Sequence, residues 1–583
     1  MKKIQTILVA LVSFALLTCG AQAQFVPGQV LSAQQLNSAL ANVAAKSLPI
    51  TGGTLTGPIS GASATFSTAN LSAATIGTAS ISSLSAATPI PIGSGGTGAA
   101  TALAATSNMQ FRSAAAGAVV RSLASKLADV VDVRDFGAVC NGSAANTAAD
   151  TAGITAAINS VAAGGAVNFP AGTCYVTPMA FTGLNNVQLV GKGRQATLIM
   201  LTSAGIAFRF SNAQWLSISH MAFTTTGAPQ SMTGASAIQL DTGSNNALID
   251  DITVYAFGGD GLVCAGTSTN QMSGSKLTNS YFLGNAIANL RWTYCNDFFI
   301  ANNNFGMLDT IPHPAIGAIL STSNAGTYTG NYHWQNVVDF QQVNSSFNRV
   351  IANRFELADQ QGVYVTGGSN LTFESNDVHT NSQAGNGQYD SAYFTGVTDS
   401  IILGNKIFSW DSSFARWGLN IDGSSSNISL GKNKVFAPAF STSYGPFSVS
   451  AASTNISGDI DLLGSTTSNV ASGSTVYLGT NGAQAVETAT NYVVPRRAMV
   501  MGFYTATLAA PGASQSFTYT LRKNGVSTSM VATSSGASSF LATAANTQPA
   551  ILVQPGDVID LQLVTSASAT ATNHRWYVTL LEY

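Results

Sequence analysis

Charge is the first thing this sequence lacks. Lys and Arg number 23 and Asp and Glu 25 in 583 residues, so charged side chains make up 8% of the chain, where about a quarter is usual. Expansion of the chain by charge repulsion is excluded on that count. No Lys/Arg cluster is present, which excludes the phosphate-tracking surface that nucleic-acid binders need. Cysteine is scarce, at five residues, and none falls in the close Cys-x-x-Cys or Cys/His spacing of a zinc site. Past the N-terminus no apolar run approaches the roughly 20 residues of a membrane span. Aromatics at 9% and apolar residues at 45% are ordinary. Ser, Thr, Asn, Ala and 56 Gly fill the place of the missing charge, a composition that suits short repeating strands.

Residues 1–23 have the layout of a secretory signal: Lys2 and Lys3, an apolar run from Ile4 to Leu17, and Ala21-Gln22-Ala23 as a small-x-small cleavage site. A membrane anchor and a lipid attached at Cys19 are the alternatives. The run is short for the first, and Thr18 is not the small residue the second prefers. Cys140, Cys174, Cys264 and Cys295 remain in the mature chain. In an exported protein they permit two disulfides, and proximity favours Cys140 with Cys174 and Cys264 with Cys295 among the three connectivities.

Residues 24–129 are almost uncharged. Ser32 precedes apolar residues at helical spacing up to Leu40, which predicts one short helix. The segments 48–59 (Leu-Pro-Ile-Thr-Gly-Gly-Thr-Leu-Thr-Gly-Pro-Ile) and 91–98 (Pro-Ile-Gly-Ser-Gly-Gly-Thr-Gly) are too short and Gly-rich to build a core alone. They read as a fibrous stem whose strands are buried by identical chains, or else as a flexible linker. Their wording resembles the stems of bacteriophage tail fibres and tailspikes, although those proteins have no use for a secretory signal.

From Val131 the sequence changes. Val131-Asp132-Val133-Arg134-Asp135-Phe136-Gly137-Ala138, then Ile154 and Ile158 four apart, then Gly164-Gly165-Ala166-Val167-Asn168-Phe169-Pro170-Ala171-Gly172-Thr173-Cys174-Tyr175, read as strand, turn, helix, turn and strand. This stretch resembles the opening of the pectate-lyase-like right-handed parallel β-helix proteins, in which such a helix caps the open end of the solenoid. Asn141, Asn146 and Asp150 stand where that family carries a denser acidic cluster. Downstream, asparagines at 279, 303, 353, 376, 405 and 433 each precede an apolar residue by two and follow an alternating strand. Their spacing is in the twenties if the gap from 303 to 353 is two turns with an insertion near 325–334. Asn at each corner would accept left-handed backbone, and stacked amides would share hydrogen bonds. After about residue 440 the period fades. Short alternating strands return from Val486, with Asn524-Gly525 as a hairpin turn and Pro555-Gly556-Asp557 as another. The expectation is all-β: signal 1–23, stem 24–129, capped parallel β-helix 130–440, linker 441–485 and an antiparallel β-sandwich or jelly roll 486–583, serving trimerisation or sugar binding.

A β-helix offers long shallow faces to extended polysaccharides. Trp334, Tyr364, Tyr389, Trp410 and Trp417, with Trp292, Tyr294 and Tyr393, are the candidate aromatic platforms, and Arg416 joins them as a polar partner. Cleavage requires paired carboxylates or a base beside a neutralised uronate. Glu356, Asp359, Asp377 and His379 are the group whose one-turn spacing would bring them together. No cofactor is implied; Asp250, Asp251 and Asp260 supply oxygens that would suit calcium, without a spaced ligand loop. The resemblance implies a secreted or cell-surface homotrimer that recognises, and as lyase or hydrolase degrades, an extracellular polysaccharide. A non-catalytic adhesin or structural fibre is the alternative.

Overall fold

A computed structural model describes residues 101–582 except 128, 310, 412–413, 437–439, 451–452, 480–481, 491 and 546–549, together with Gln34 and Ser38. The chain divides into two units, Met1–Ala87 and Thr88–Tyr583. In the first, Gln34 and Ser38 are helical, and Ser38 Oγ donates to the Gln34 carbonyl at 2.9 Å. The signal expected at 1–23 and the Gly-rich segments at 48–59 and 91–98 lie outside the described residues.

The second unit begins with two short helices, Ala102–Asn108 and Leu123–Leu127, around a two-residue antiparallel pairing of Gln110–Phe111 with Arg121–Ser122. Among the residues from 101 to 130 whose exposure is described, none is buried. Val119 is 74% exposed and Leu127 60%.

Three parallel sheets then wind into a right-handed β-helix. The first has 13 strands, from Val131–Asp132 to Thr454–Ser457; the second 11, from Gly172–Val176 to Lys434–Val435; the third 11, from Met179–Thr182 to Phe440–Val449. Apolar side chains alternate inward along each strand, and their stack forms one continuous core. The corner between the first and second sheets carries a ladder of Ser280, Asn303, Asn331, Asn353, Asn376, Asn405 and Asn433, at intervals of 23, 28, 22, 23, 29 and 28 residues. The backbone N–H and Nδ2 of Asn353 both donate to Asn376 Oδ1, at 2.9 and 3.0 Å, and Nδ2 also reaches the Tyr328 carbonyl at 3.0 Å. Each buried amide is thus satisfied by its neighbours.

Two details differ from the sequence reading. The rung missing between 303 and 353 is Asn331, and the strands around it are regular; the additional residues are 307–315, before the strand Ile316–Ser321. The left-handed residue is not the ladder asparagine but the one before it: Asn302 (φ 58°), Gly330 (64°), Ala352 (55°), Ser375 (56°) and Gly404 (65°). Asn279 holds that preceding position, at φ 52°, and Ser280 holds the rung.

The cap is the helix Thr147–Ser160, which buries Ile154, Ala157 and Ile158. Gly153 lies against Ala138 so closely that a Cβ would fall 2.3 Å from the Ala138 nitrogen. The Asp150 carboxylate is fully buried and accepts from the backbone N–H of Val139 (2.7 Å), Cys140 (2.9 Å) and Tyr175 (3.0 Å). It ties the helix to the first coil beside the Cys140–Cys174 disulfide; the second disulfide joins Cys264 to Cys295.

Residues 441–485, read as linker, carry strands. Phe440–Val449 and Thr454–Ser457 complete the β-helix, and Ile460–Ser465, Thr475–Gly479 and Gly482–Gln484 join the C-terminal sandwich. Its two antiparallel sheets enclose a separate core that includes Phe503, Phe517, Tyr519, Leu561 and Trp576. Asn524 (φ 52°) and Gly525 (76°) turn the hairpin. Met499 and Leu581 pack into the end of the β-helix core.

Candidate functional site

On the second sheet the strands Tyr332–Trp334, Arg354–Glu356, Asp377–His379 and Lys406–Phe408 pair in register. Their central residues His333, Phe355, Val378 and Ile407 are buried inside. The flanking residues therefore stack outside in two rows: Tyr332, Arg354, Asp377 and Lys406 in one, and Trp334, Glu356, His379 and Phe408 in the other.

Glu356 is the hub of these rows. Tyr332 Oη donates to its Oε1, Arg354 Nε donates to Oε2 at 2.6 Å and Arg354 Nη2 pairs with the same oxygen. His379 Nε2 stands 3.1 Å from Glu356 Oε2 and 3.1 Å from Arg354 Nε. Burial would raise the Glu356 carboxyl, but hydrogen bonds from His379 and Tyr332 and the charges of His379 and Arg354 outweigh it, leaving it below its ordinary value. Burial and the bond to Glu356 push the Tyr332 phenol up to about 12. His379 is almost fully buried between rings, 4.4 Å from Phe408 and 4.3 Å from Trp410 by centroids. The Arg354 guanidinium lies over Tyr332 (5.1 Å) and Trp410 (5.5 Å). Trp334 packs beside Tyr332 at 5.0 Å and lies across Gly306, whose Cβ would fall 2.3 Å from the indole. Trp410 is 51% exposed. The result is a partly open aromatic face with a fixed guanidinium, and a carboxylate held ionised beneath it.

The other expected residues distribute as follows. Asp377 pairs in register with Arg354 rather than with Glu356. Asp359 lies past the corner, where its Oδ2 is 2.9 Å from His313 Nδ1; the side chains are 27% and 30% exposed. His313 belongs to the 307–315 insertion, which Gln230 Nε2 holds through the Pro312 carbonyl at 3.0 Å. Tyr364 stacks on Tyr393 at 5.4 Å on the third sheet, and Tyr393 Oη donates to Asp422 at 3.0 Å. Tyr389 and Arg416 also belong with the third sheet: the Arg416 N–H donates to the Tyr389 carbonyl at 2.7 Å, and the guanidinium grips buried Asp390 at 2.9 and 2.8 Å. Trp417 is 4% exposed and Trp292 fully buried, so both are core and not platforms. The aspartates read as calcium ligands do not converge. Asp250 accepts from Thr278 and Asn279, Asp251 meets His220 and Arg194, and Asp260 is held by Arg291. No metal-holding group of three or more His, Cys, Asp or Glu occurs among the described residues.

Of the residues named from the sequence, the structure brings together Glu356, His379, Trp334 and Trp410; Tyr332 and Arg354 were not named, although they lie two residues along the strand from Trp334 and Glu356. It also missed His313, which a period-based reading cannot place because it sits in an insertion.

The architecture defines a right-handed parallel β-helix protein. The family described as right handed beta helix region matches residues 236–435. By sequence, none of the curated proteins matches the chain. Among solved structures, the A-module of mannuronan C-5 epimerase AlgE6 from Azotobacter vinelandii is 16% identical over 57% of this chain and 100% of its own, with TM-score 0.40. The Dettilon tailspike protein is 11% identical over 79% of this chain and 96% of its own, at 0.44. PfbA, a surface adhesin of Streptococcus pneumoniae, is 15% identical over 56% and 89%, also at 0.44. No helix of the described residues is long and apolar enough to cross a membrane.

Proposed function

We propose that this protein is exported and recognises an extracellular or cell-surface polysaccharide on the second-sheet face of its β-helix. The observation that carries the reading is the Tyr332–Trp334–Arg354–Trp410 cluster, fixed from below by Glu356 and His379. Exposed aromatic faces stack on pyranose rings, and a guanidinium fixed between two of them supplies directed donors. The glutamate's part is to hold Arg354 and Tyr332 in place. With its ionised form stabilised by three partners, it is poorly suited to act as a glycosidase acid, which needs a raised pKa.

One observation favours cleavage as a second reading. Asp359, three residues beyond Glu356, fixes the imidazole of His313 through Nδ1, and both groups are partly exposed, which is the arrangement of an oriented general base. Two disulfides suit an oxidising compartment and support export by the signal at 1–23. The exposed apolar residues of 101–130, Met109, Phe111, Val119 and Leu127 among them, support burial of the stem against identical chains, as in a homotrimer.

The test is incubation of the mature protein with acidic and neutral polysaccharides, with binding, reducing ends and unsaturated-uronate absorbance read together. Binding that Trp410→Ala weakens at least tenfold is expected. Product that His313→Ala abolishes, with binding intact, would establish the cleaving reading. Absence of binding to any of them overturns the proposal.

A further inference from the structure

The C-terminal sandwich carries a second candidate ligand site, on the outer face of the sheet ordered Ile460–Ser465, His574–Glu582, Ala498–Thr507 and Leu541–Ala545. Alternation sends Phe503, Thr505, Trp576 and Val578 into the core and the residues between them outward. Two outward rows cross the strands in register: Leu463, Tyr577 and Tyr504, and beside it Ser465, Arg575, Ala506 and Leu541. Small Ser465 and Ala506 stand among large neighbours, and the difference in size leaves a trough of about 620 Å³ lined by these residues. The two tyrosine rings are 6.1 Å apart at 61°. Tyr504 is 46% exposed and Leu463 and Leu541 are each 66% exposed.

Charge decides what suits the trough. Elsewhere in the sandwich Arg496 pairs with Glu582 and Arg522 with Glu487. Arg575 has no ion-pair partner among the described residues, and the lining of the trough contains no carboxylate. A second copy docked face to face would therefore desolvate this cation without neutralising it, which is costly. A saccharide carrying a carboxylate meets every feature. Its pyranose ring has an aromatic face to stack on, its carboxylate has a planar two-pronged donor to receive it, and the trough is open along the sheet. We infer that the Tyr504–Tyr577–Arg575 trough is a binding site for an acidic saccharide, separate from the β-helix face.

The test is calorimetric titration of the full mature chain carrying Trp410→Ala, so that the β-helix face is weakened, with oligogalacturonate as acidic probe and maltooligosaccharide as neutral one. Oligogalacturonate is expected to bind, with affinity lowered at least tenfold by Tyr504→Ala and by Arg575→Gln. Arg575→Gln should leave the neutral probe unchanged. Both side chains are on the surface, and unchanged thermal midpoints would show the variants folded. No binding of oligogalacturonate in the Trp410→Ala chain, or affinity unaltered in both variants, would overturn the inference and leave the β-helix reading standing. Concentration-dependent self-association abolished by Tyr504→Ala would overturn it in favour of a second copy.

Discussion

Glu356 and His379 are 23 residues apart in sequence and stand 3.1 Å apart, Oε2 to Nε2, because they hold the same register position on consecutive rungs. Parallel stacking turns a one-turn spacing into contact, and the next rung's Phe408 and the nearby Trp410 then close over the imidazole. The pair acts as the floor of the site: buried and hydrogen-bonded, it fixes the groups above it.

Replacing Glu356 with Gln removes the charge that faces Arg354 and His379 while keeping the size. The amide keeps one acceptor oxygen and turns an NH2 toward the other donor, so either the guanidinium or the Tyr332 hydroxyl loses its acceptor, and a buried polar group left unmatched costs about 1–3 kcal/mol. Denaturant unfolding should show a loss of that order. Polysaccharide affinity, measured on the folded variant, should fall about tenfold because Arg354 is no longer held in place.

Gly306→Ala tests the seat of Trp334. The new methyl would press on the indole at 2.3 Å, and overpacking of this kind costs about 1–3 kcal/mol. Tryptophan fluorescence should shift and polysaccharide affinity should fall. Unchanged fluorescence with unchanged affinity would mean that Trp334 is no part of the binding face.

The asparagine ladder makes a stability prediction independent of ligand. Asn353→Ala leaves the Asn331 amides without their acceptor and takes from Asn376 Oδ1 its side-chain donor, the backbone N–H of residue 353 remaining. The expected loss is about 2–4 kcal/mol in denaturant unfolding, whereas Asn159→Ala, on the exposed side of the cap helix, should cost under about 0.5 kcal/mol.

Asp560 predicts a pH dependence. Burial, then the charge and hydrogen bond of Glu487, raise its carboxyl to about 7 despite Arg522. Between about pH 4, where an unfolded aspartate releases its proton, and pH 7, the folded chain holds a proton the unfolded chain has lost. Stability contributed here therefore falls as pH rises through that window and levels off above it. Thermal midpoints of wild type should carry this slope, and Asp560→Asn should flatten it.

Much of the fold was legible because its signals are local. The cap motif at Val131–Ala138, the near-in-sequence cysteine pairs and five of the seven ladder positions all stand in the sequence as they stand in space. The Asn331 rung was hidden because its coils are 28 and 22 residues long, so the doubled gap looked like an insertion. The strands at 460–484 were hidden because they are short, are set around the Ser-, Thr- and Gly-rich residues 464–475, and gain their place by backbone pairing with the distant strands Val558–Thr565 and His574–Glu582. Of the site, Glu356 and His379 were readable from the period. The split of the aromatics between two sheets was not, nor was the burial of Trp417, since both depend on which face of a strand turns inward. Asp359 met His313 through a loop inserted two coils earlier, a contact with no periodic signature.

We propose polysaccharide binding by the Tyr332–Trp334–Arg354–Trp410 face. Its most direct measurement is titration of the folded wild type and of Arg354→Ala/Trp410→Ala against one polysaccharide retained by the wild type. Saturable binding that the double variant weakens by a hundredfold or more, with its thermal midpoint still cooperative, is the predicted result. Equal affinity in the two proteins would contradict it and move recognition to another face of the molecule.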